Sequence, residues 1–236
     1  MADEPQLTLP LCRPPAADFD QFIASANEVA LHALRAYLSD APRQPLFFLA
    51  GEPGSGKTHL LTAACAELER HRGRAVYVPL DEADQLAPAL LNGLESCDLV
   101  CLDDLDAVAG LAEWEEAVFH LFNRLREAGQ RLLISARTLP AKLSIALPDL
   151  RSRLQWGASF RLRSPDDDIR ARILKERAAR RGMPLDDHLI AYLLKRHDRD
   201  TASLIAIIER LDQLSLARKK PVTLPLLREV LTERDA

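Results

Sequence analysis

Short apolar runs separated by longer helical stretches organise the first two thirds of the chain. Leu46-Phe-Phe-Leu-Ala50, Ala75-Val-Tyr-Val78, Leu99-Val-Cys-Leu102 and Leu132-Leu-Ile-Ser135 are too short for helices and are bounded by polar or turn-forming residues. Ser159-Phe-Arg-Leu162 reads as a fifth strand. Between the runs the apolar positions take a helical period, at Leu60, Leu61, Ala64 and Leu68, weakly over residues 86–94, and again over 113–128. Strands apolar at nearly every position need cover on both faces, and their alternation with helices predicts a parallel sheet. Ahead of the first run, Val29, Leu31, Leu34 and Leu38 predict a helix over residues 19–39, with Pro42 as its stop.

Past Pro165 the strand pattern ceases. Helical stretches follow near 167–181, 186–197 and 201–218, and a fourth over 224–234. The expected organisation is a tail over residues 1–18, rich in proline and without helical period, an α/β core with a five-stranded parallel sheet over 19–164, and a small all-α domain over 165–236.

Gly51-Glu-Pro-Gly-Ser-Gly-Lys-Thr58 fits the P-loop pattern G-x-x-x-x-G-K-[ST], between the first strand and the next helix. Glycines let successive backbone N–H groups converge on phosphate oxygens, and the helix adds its positive N-terminus. The expected contacts come from Gly51, Gly54, Ser55, Gly56, Lys57 and Thr58. Lys57 reaches the β- and γ-phosphates, and the Thr58 hydroxyl holds Mg²⁺. Asp103-Asp104 closes the third strand, an arrangement that sets Asp103 beside the metal and Asp104 where it can orient a water.

Composition narrows the setting. Net charge is -4, against a protein whose main business is gripping DNA. The cations at Arg170, Arg172, Lys175, Arg177, Arg180 and Arg181 read as a solvated helix face, in preference to a contact for an acidic partner. No apolar run approaches the roughly 18 to 20 residues that cross a membrane, and the N-terminus lacks the basic and apolar regions of a signal peptide. Cys12, Cys65, Cys97 and Cys101 have no C-x-x-C spacing and read as structural thiols. The histidines are scattered and form no metal-ligand pattern. A cytoplasmic protein is expected.

With the P-loop and the acid pair stand Gly56-Lys-Thr-His-Leu60, Leu102-Asp-Asp-Leu105, Phe119-His-Leu-Phe-Asn-Arg-Leu125, Ser135-Ala-Arg-Thr138 and Ser152-Arg-Leu-Gln-Trp-Gly157. Together they resemble the AAA+ module of the bacterial replication initiator DnaA, from about Phe19 to the end, with the C-terminal helices as its lid. The helix-turn-helix domain that follows the lid in the initiator is expected to be absent. Gln6-Leu-Thr-Leu-Pro-Leu11 is similar to the peptide by which bacterial proteins dock on the DNA polymerase III beta sliding clamp. Leu9 and Leu11 would enter an apolar pocket and Gln6 its polar rim, with Leu7 and Pro10 completing the clamp-binding residues.

This combination resembles the regulatory inactivators of DnaA, the Hda family. The resemblance implies a regulator that sits on DNA-loaded clamp and triggers hydrolysis of DnaA-bound ATP. Arg153 matches the arginine finger, acting in trans on a neighbouring DnaA; offered to its own kind, it would make a homo-oligomer. The sensor 1 position reads Ala136, before Arg137, and the sensor 2 arginine aligns with Ala202; Arg199 is close in sequence but at the wrong helical offset. Intrinsic turnover is therefore expected to be slow, with ADP or ATP acting mainly to fix the lid. The short stretch between the second and third strands argues against single-stranded-DNA contacts. Competing readings are an autonomous AAA+ ATPase such as a helicase loader or truncated initiator, a P-loop small-molecule kinase, and an adaptor that binds without activating hydrolysis.

Overall fold

Residues 17–39, 45–196, 201–218 and 221–234 are described by a computed structural model. Two compact units are formed: the first runs to Arg163 without Pro53–Ser55, and the second groups Pro53–Ser55 with the residues from Ser164 onward.

The first unit is built on five parallel strands, β1 (Leu46–Ala50), β2 (Ala75–Pro79), β3 (Leu99–Asp103), β4 (Arg131–Ala136) and β5 (Ala158–Arg161), in the order β2-β3-β4-β1-β5. Because side chains alternate across a strand, β1 serves two cores. Leu46, Phe48 and Ala50 join Val100, Leu102, Leu132 and Ile134 on one face, beneath α3 (Ala112–Glu127) and α4 (Pro148–Leu154). Phe47 and Leu49 join Leu99, Cys101 and Leu133 on the other, covered by α1 (Glu28–Ser39) and α2 (Lys57–Arg70). Phe47 and Phe48 are almost wholly buried, each contributing about 1.5–3 kcal/mol of apolar burial.

Two expectations shift. The N-terminal helix begins at Glu28; residues Phe19–Gln21 and Ser25–Asn27 form single 3₁₀ turns instead. Phe19 is buried, whereas Val29 is 75% exposed. The weak helical pattern over 86–94 resolves into two 3₁₀ turns, Pro88–Leu91 and Leu94–Ser96. Leu91 and Leu94 satisfy the face-one core from there, and a single turn brings both inward without a regular helix.

The second unit contains α5 (Asp167–Arg180), α6 (Asp187–Arg196), α7 (Thr201–Arg218) and α8 (Leu224–Arg234). Leu174, Ala178, Leu193, Leu204, Ile207, Ile208, Leu227 and Val230 close its core. Among the described residues, no helix is long and apolar enough to cross a membrane.

Candidate functional site

Strand order places the site. β4 lies between β1 and β3, so its last residues stand between the loop that leaves β1 and the acids that end β3. Ligands of open parallel sheets collect at this carboxyl edge.

The loop from Gly51 turns sharply into α2. The Gly51 N–H donates to the Ala136 carbonyl at 3.0 Å, tying the start of the loop to the end of β4. Gly54 and Gly56 have φ of 75° and 95°. Gly56 is doubly constrained: a Cβ there would also stand 2.6 Å from the Phe22 ring. Lys57 opens α2, and its buried ammonium donates to the Gly51 carbonyl at 3.0 Å. Thr58 follows, half-buried. Ser55 is buried and its hydroxyl meets no hydrogen-bond partner. A buried ammonium, an unsatisfied hydroxyl and a left-handed glycine loop at a helix N-terminus together fit a polyphosphate.

The acids stand opposite. Asp103 is buried, accepting from the Tyr77 hydroxyl at 2.8 Å and, on its other oxygen, from the Ser135 hydroxyl. Ser135 also accepts the Asp104 N–H at 2.9 Å. Asp104 sits in the left-handed region at φ 53°, with a carboxylate oxygen 3.6 Å from the Lys57 ammonium. Burial raises the Asp104 pKa and the neighbouring Asp103 raises it further, while Lys57 pulls the other way. Burial, with Asp103 alongside, also raises the Tyr77 hydroxyl. A carboxylate fixed by two hydroxyls suits a divalent cation, and a carboxylate beside a lysine suits control of a water.

The structure thus brings Gly51, Gly54, Ser55, Gly56, Lys57, Thr58, Asp103 and Asp104 to one edge. Ala136 ends β4, fully buried, and Arg137 beside it pairs with Asp106 at 3.1 Å. Ala202 is the second residue of α7. Arg199 and the segment Gln6 to Leu11 lie outside the described residues. Tyr77 and Ser135 were missed as site residues; the only sequence signal for Ser135 is a hydroxyl at the end of an otherwise apolar strand. Elsewhere, the buried Asn27 amide donates to the Arg163 carbonyl and accepts the Arg163 N–H, at 2.9 and 2.8 Å.

Arg153 stands apart, on the last turn of α4. A buried Glu115 holds the approach to that helix by accepting the N–H groups of Gly110, Ala146 and Leu147 at 2.6, 3.0 and 2.7 Å. Arg151 turns back onto the Ile145 carbonyl. Among the described residues Arg153 makes no ion pair; its guanidinium carbon lies 4.0 Å from the centroid of the Trp156 ring.

Comparison with known proteins agrees with this geometry. The family model of the bacterial DnaA ATPase domain matches residues 15–161, and that of the Hda lid domain matches residues 167–231. An uncharacterised protein of Haemophilus influenzae is 40% identical over 227 residues, covering 96% of this chain and 98% of that one. Domain III of the Thermotoga maritima replication initiation protein DnaA shares the fold, with TM-score 0.79 and 24% identity over 93% of this chain and 97% of that one. AMPPCP-bound DnaA from Aquifex aeolicus gives TM-score 0.72 and 26% identity over 95% of this chain and 71% of that one. With both its parallel-sheet unit and its helical unit matched, the chain belongs to the DnaA family of AAA+ proteins, in its Hda-like branch.

Proposed function

We propose that this protein is a negative regulator of replication initiation that binds the DNA polymerase III beta sliding clamp and stimulates hydrolysis of DnaA-bound ATP, leaving inactive ADP-DnaA. The observation that carries the reading is Arg153, a guanidinium on a half-buried side chain with no carboxylate partner among the described residues. Presented to the nucleotide of a neighbouring DnaA, it would neutralise charge developing on the γ-phosphoryl group, a contribution of about 10³ to 10⁵ in rate. Gln6, Leu7, Leu9, Pro10 and Leu11 form the clamp-docking peptide in this reading. The partners are DnaA and the clamp, and the setting is the cytoplasm.

The protein's own nucleotide, ADP or ATP, is held by Gly51, Gly54, Ser55, Gly56, Lys57 and Thr58, with Mg²⁺ beside Thr58 and Asp103. Bound Mg²⁺ supplies charge neutralisation at the phosphates. Lys57 adds a second cation, Tyr77 and Ser135 keep Asp103 oriented, and Asp104 is the residue for a water. With Ala136 and Ala202 at the sensor positions, intrinsic turnover is slow.

The test is ATP hydrolysis by cognate DnaA with this protein present and DNA-loaded clamp added or omitted. Strong stimulation confined to the reactions with loaded clamp supports the reading, and Arg153→Ala should abolish it while clamp binding persists. Stimulation retained by Arg153→Ala rejects the finger. A second reading, an autonomous AAA+ ATPase, draws on the assembled Lys57–Asp104 pair; intrinsic turnover that rises with protein concentration would favour it.

A further inference from the structure

The two arginines of α4 are treated differently. Arg151 spends its guanidinium on the Ile145 carbonyl. Arg153 lies over the Trp156 indole at 4.0 Å, and none of its N–H groups meets an acceptor among the described residues. The residue that carries the indole is held. The Trp156 backbone N–H donates to the Arg153 carbonyl at 3.0 Å. Phe122 meets the ring edge-on, with centroids 6.3 Å apart and planes at 82°. Gly157 then anchors the chain against β1, so closely that a Cβ would stand 2.4 Å from the Leu46 carbonyl oxygen. Trp156 nevertheless stays 46% exposed, and Arg126 approaches the same ring at 5.8 Å.

The chemistry explains why an aromatic ring, and not an acid, sits beside this arginine. A guanidinium recognises phosphate through N–H donors that lie in its own plane. A carboxylate would orient the group but would use those donors and cancel the charge. The indole face attracts the cation through its quadrupole and takes none of them. It also limits the rotamer freedom that a long, partly exposed side chain must lose as it engages the phosphoryl group in the stimulated step.

We propose that Trp156 is a positioning residue for Arg153, holding the guanidinium ordered and charged for the phosphates of a nucleotide bound by a neighbouring protein. This rests on the reading of Arg153 given above. The stack acts on the stimulated step and not on docking. Losing the ring should therefore lower the maximal stimulated rate about 3- to 30-fold and leave the half-saturating concentration nearly unchanged.

The experiment titrates the full-length protein, as wild type, Trp156→Leu, Trp156→Phe and Arg153→Ala, into ATP-loaded DnaA with DNA-loaded clamp. Trp156→Leu should lose maximal rate alone, and Trp156→Phe, which keeps an aromatic face, should recover most of it. A full maximal rate in Trp156→Leu, or a change only in half-saturation, overturns the proposal. Normal stimulation by Arg153→Ala overturns the finger and the positioning role together, whereas a dead Arg153→Ala beside a fully active Trp156→Leu rejects the positioning role only. A second readout does not depend on Trp156→Leu folding. With the other tryptophan, Trp114, replaced by Phe, acrylamide quenching of Trp156 should rise when Arg153→Ala uncovers the ring. Unchanged quenching would show that the stack does not form.

Discussion

The Lys57 ammonium stands 3.6 Å from the Asp104 carboxylate, so the cation proposed to meet phosphate already faces an anion within the folded chain. The pair does not offset the cost of placing Asp104 there. Burial and the adjacent Asp103 charge leave its pKa raised despite Lys57. A raised folded-state pKa means that the folded protein binds this proton more readily than the unfolded chain does. Stability is then greatest below the ordinary aspartate pKa of about 3.9 and falls as pH rises through the raised value.

Asp104→Asn should therefore stabilise the nucleotide-free protein at pH 7, and the advantage should shrink as pH falls toward 4. Thermal unfolding of both proteins across that range checks the sign. An advantage that grew on acidification would contradict it. The same variant should bind nucleotide and lose whatever intrinsic turnover the wild type shows.

Glu115 should behave in the opposite sense. Burial alone raises its pKa, but the N–H groups of Ala146, Gly110 and Leu147, with Arg151 nearby, hold it below the ordinary value. A depressed pKa stabilises the fold above the unfolded value of about 4.3 and loses that contribution as pH falls through the folded one. Glu115→Gln, with one acceptor oxygen in place of two, should cost most at neutral pH and progressively less below that range. Amide exchange at Ala146 and Leu147 should accelerate in the variant at neutral pH.

Ser135→Ala removes one hydroxyl from two contacts, the donation to Asp103 and the acceptance of the Asp104 N–H. Leaving these groups without their partner should cost about 1–3 kcal/mol, read as a lower urea midpoint with an unchanged slope. An unchanged midpoint would mean that water replaces the hydroxyl at no cost.

Gly157→Ala should be the most damaging single methyl. The added carbon would stand 2.4 Å from the Leu46 carbonyl oxygen and 2.8 Å from its Cβ. Leu46 lies on a strand paired on both sides, so the backbone has no room to retreat. The expected loss is about 3 kcal/mol, measurable by chemical denaturation. A near-neutral variant would require β1 to shift in its register.

The proposed clamp docking and the proposed trans-acting role of Arg153 draw on resemblance to a family, not on the physics of spacing. The P-loop was legible residue by residue, because eight consecutive residues carry both the turn chemistry and the helix start. Strands β1 to β4 were legible for a similar reason: each is a short run whose apolar character is local, whereas β5 is mostly exposed. The N-terminal helix was overcalled because Phe19, Val29 and Leu34 look alike in a periodic pattern, and only packing against α2 and β1 decides which are covered.

The sequence by itself determined the parallel α/β core, the change to an all-helical unit after Pro165, and the placing of Gly51–Thr58 and Asp103-Asp104 at strand ends. Each of these rests on interactions between near neighbours. Tertiary structure alone decided that Tyr77 and Ser135, 26 and 32 residues from Asp103, would grip its two oxygens. It alone decided that Glu115 would pin a loop 31 residues away. Those contacts depend on β4 lying beside β3 and on where α3 and α4 meet the sheet, and no local pattern encodes strand order. The same holds for the two arginines of α4, alike in sequence and separated in their contacts, one meeting a carbonyl and the other an indole.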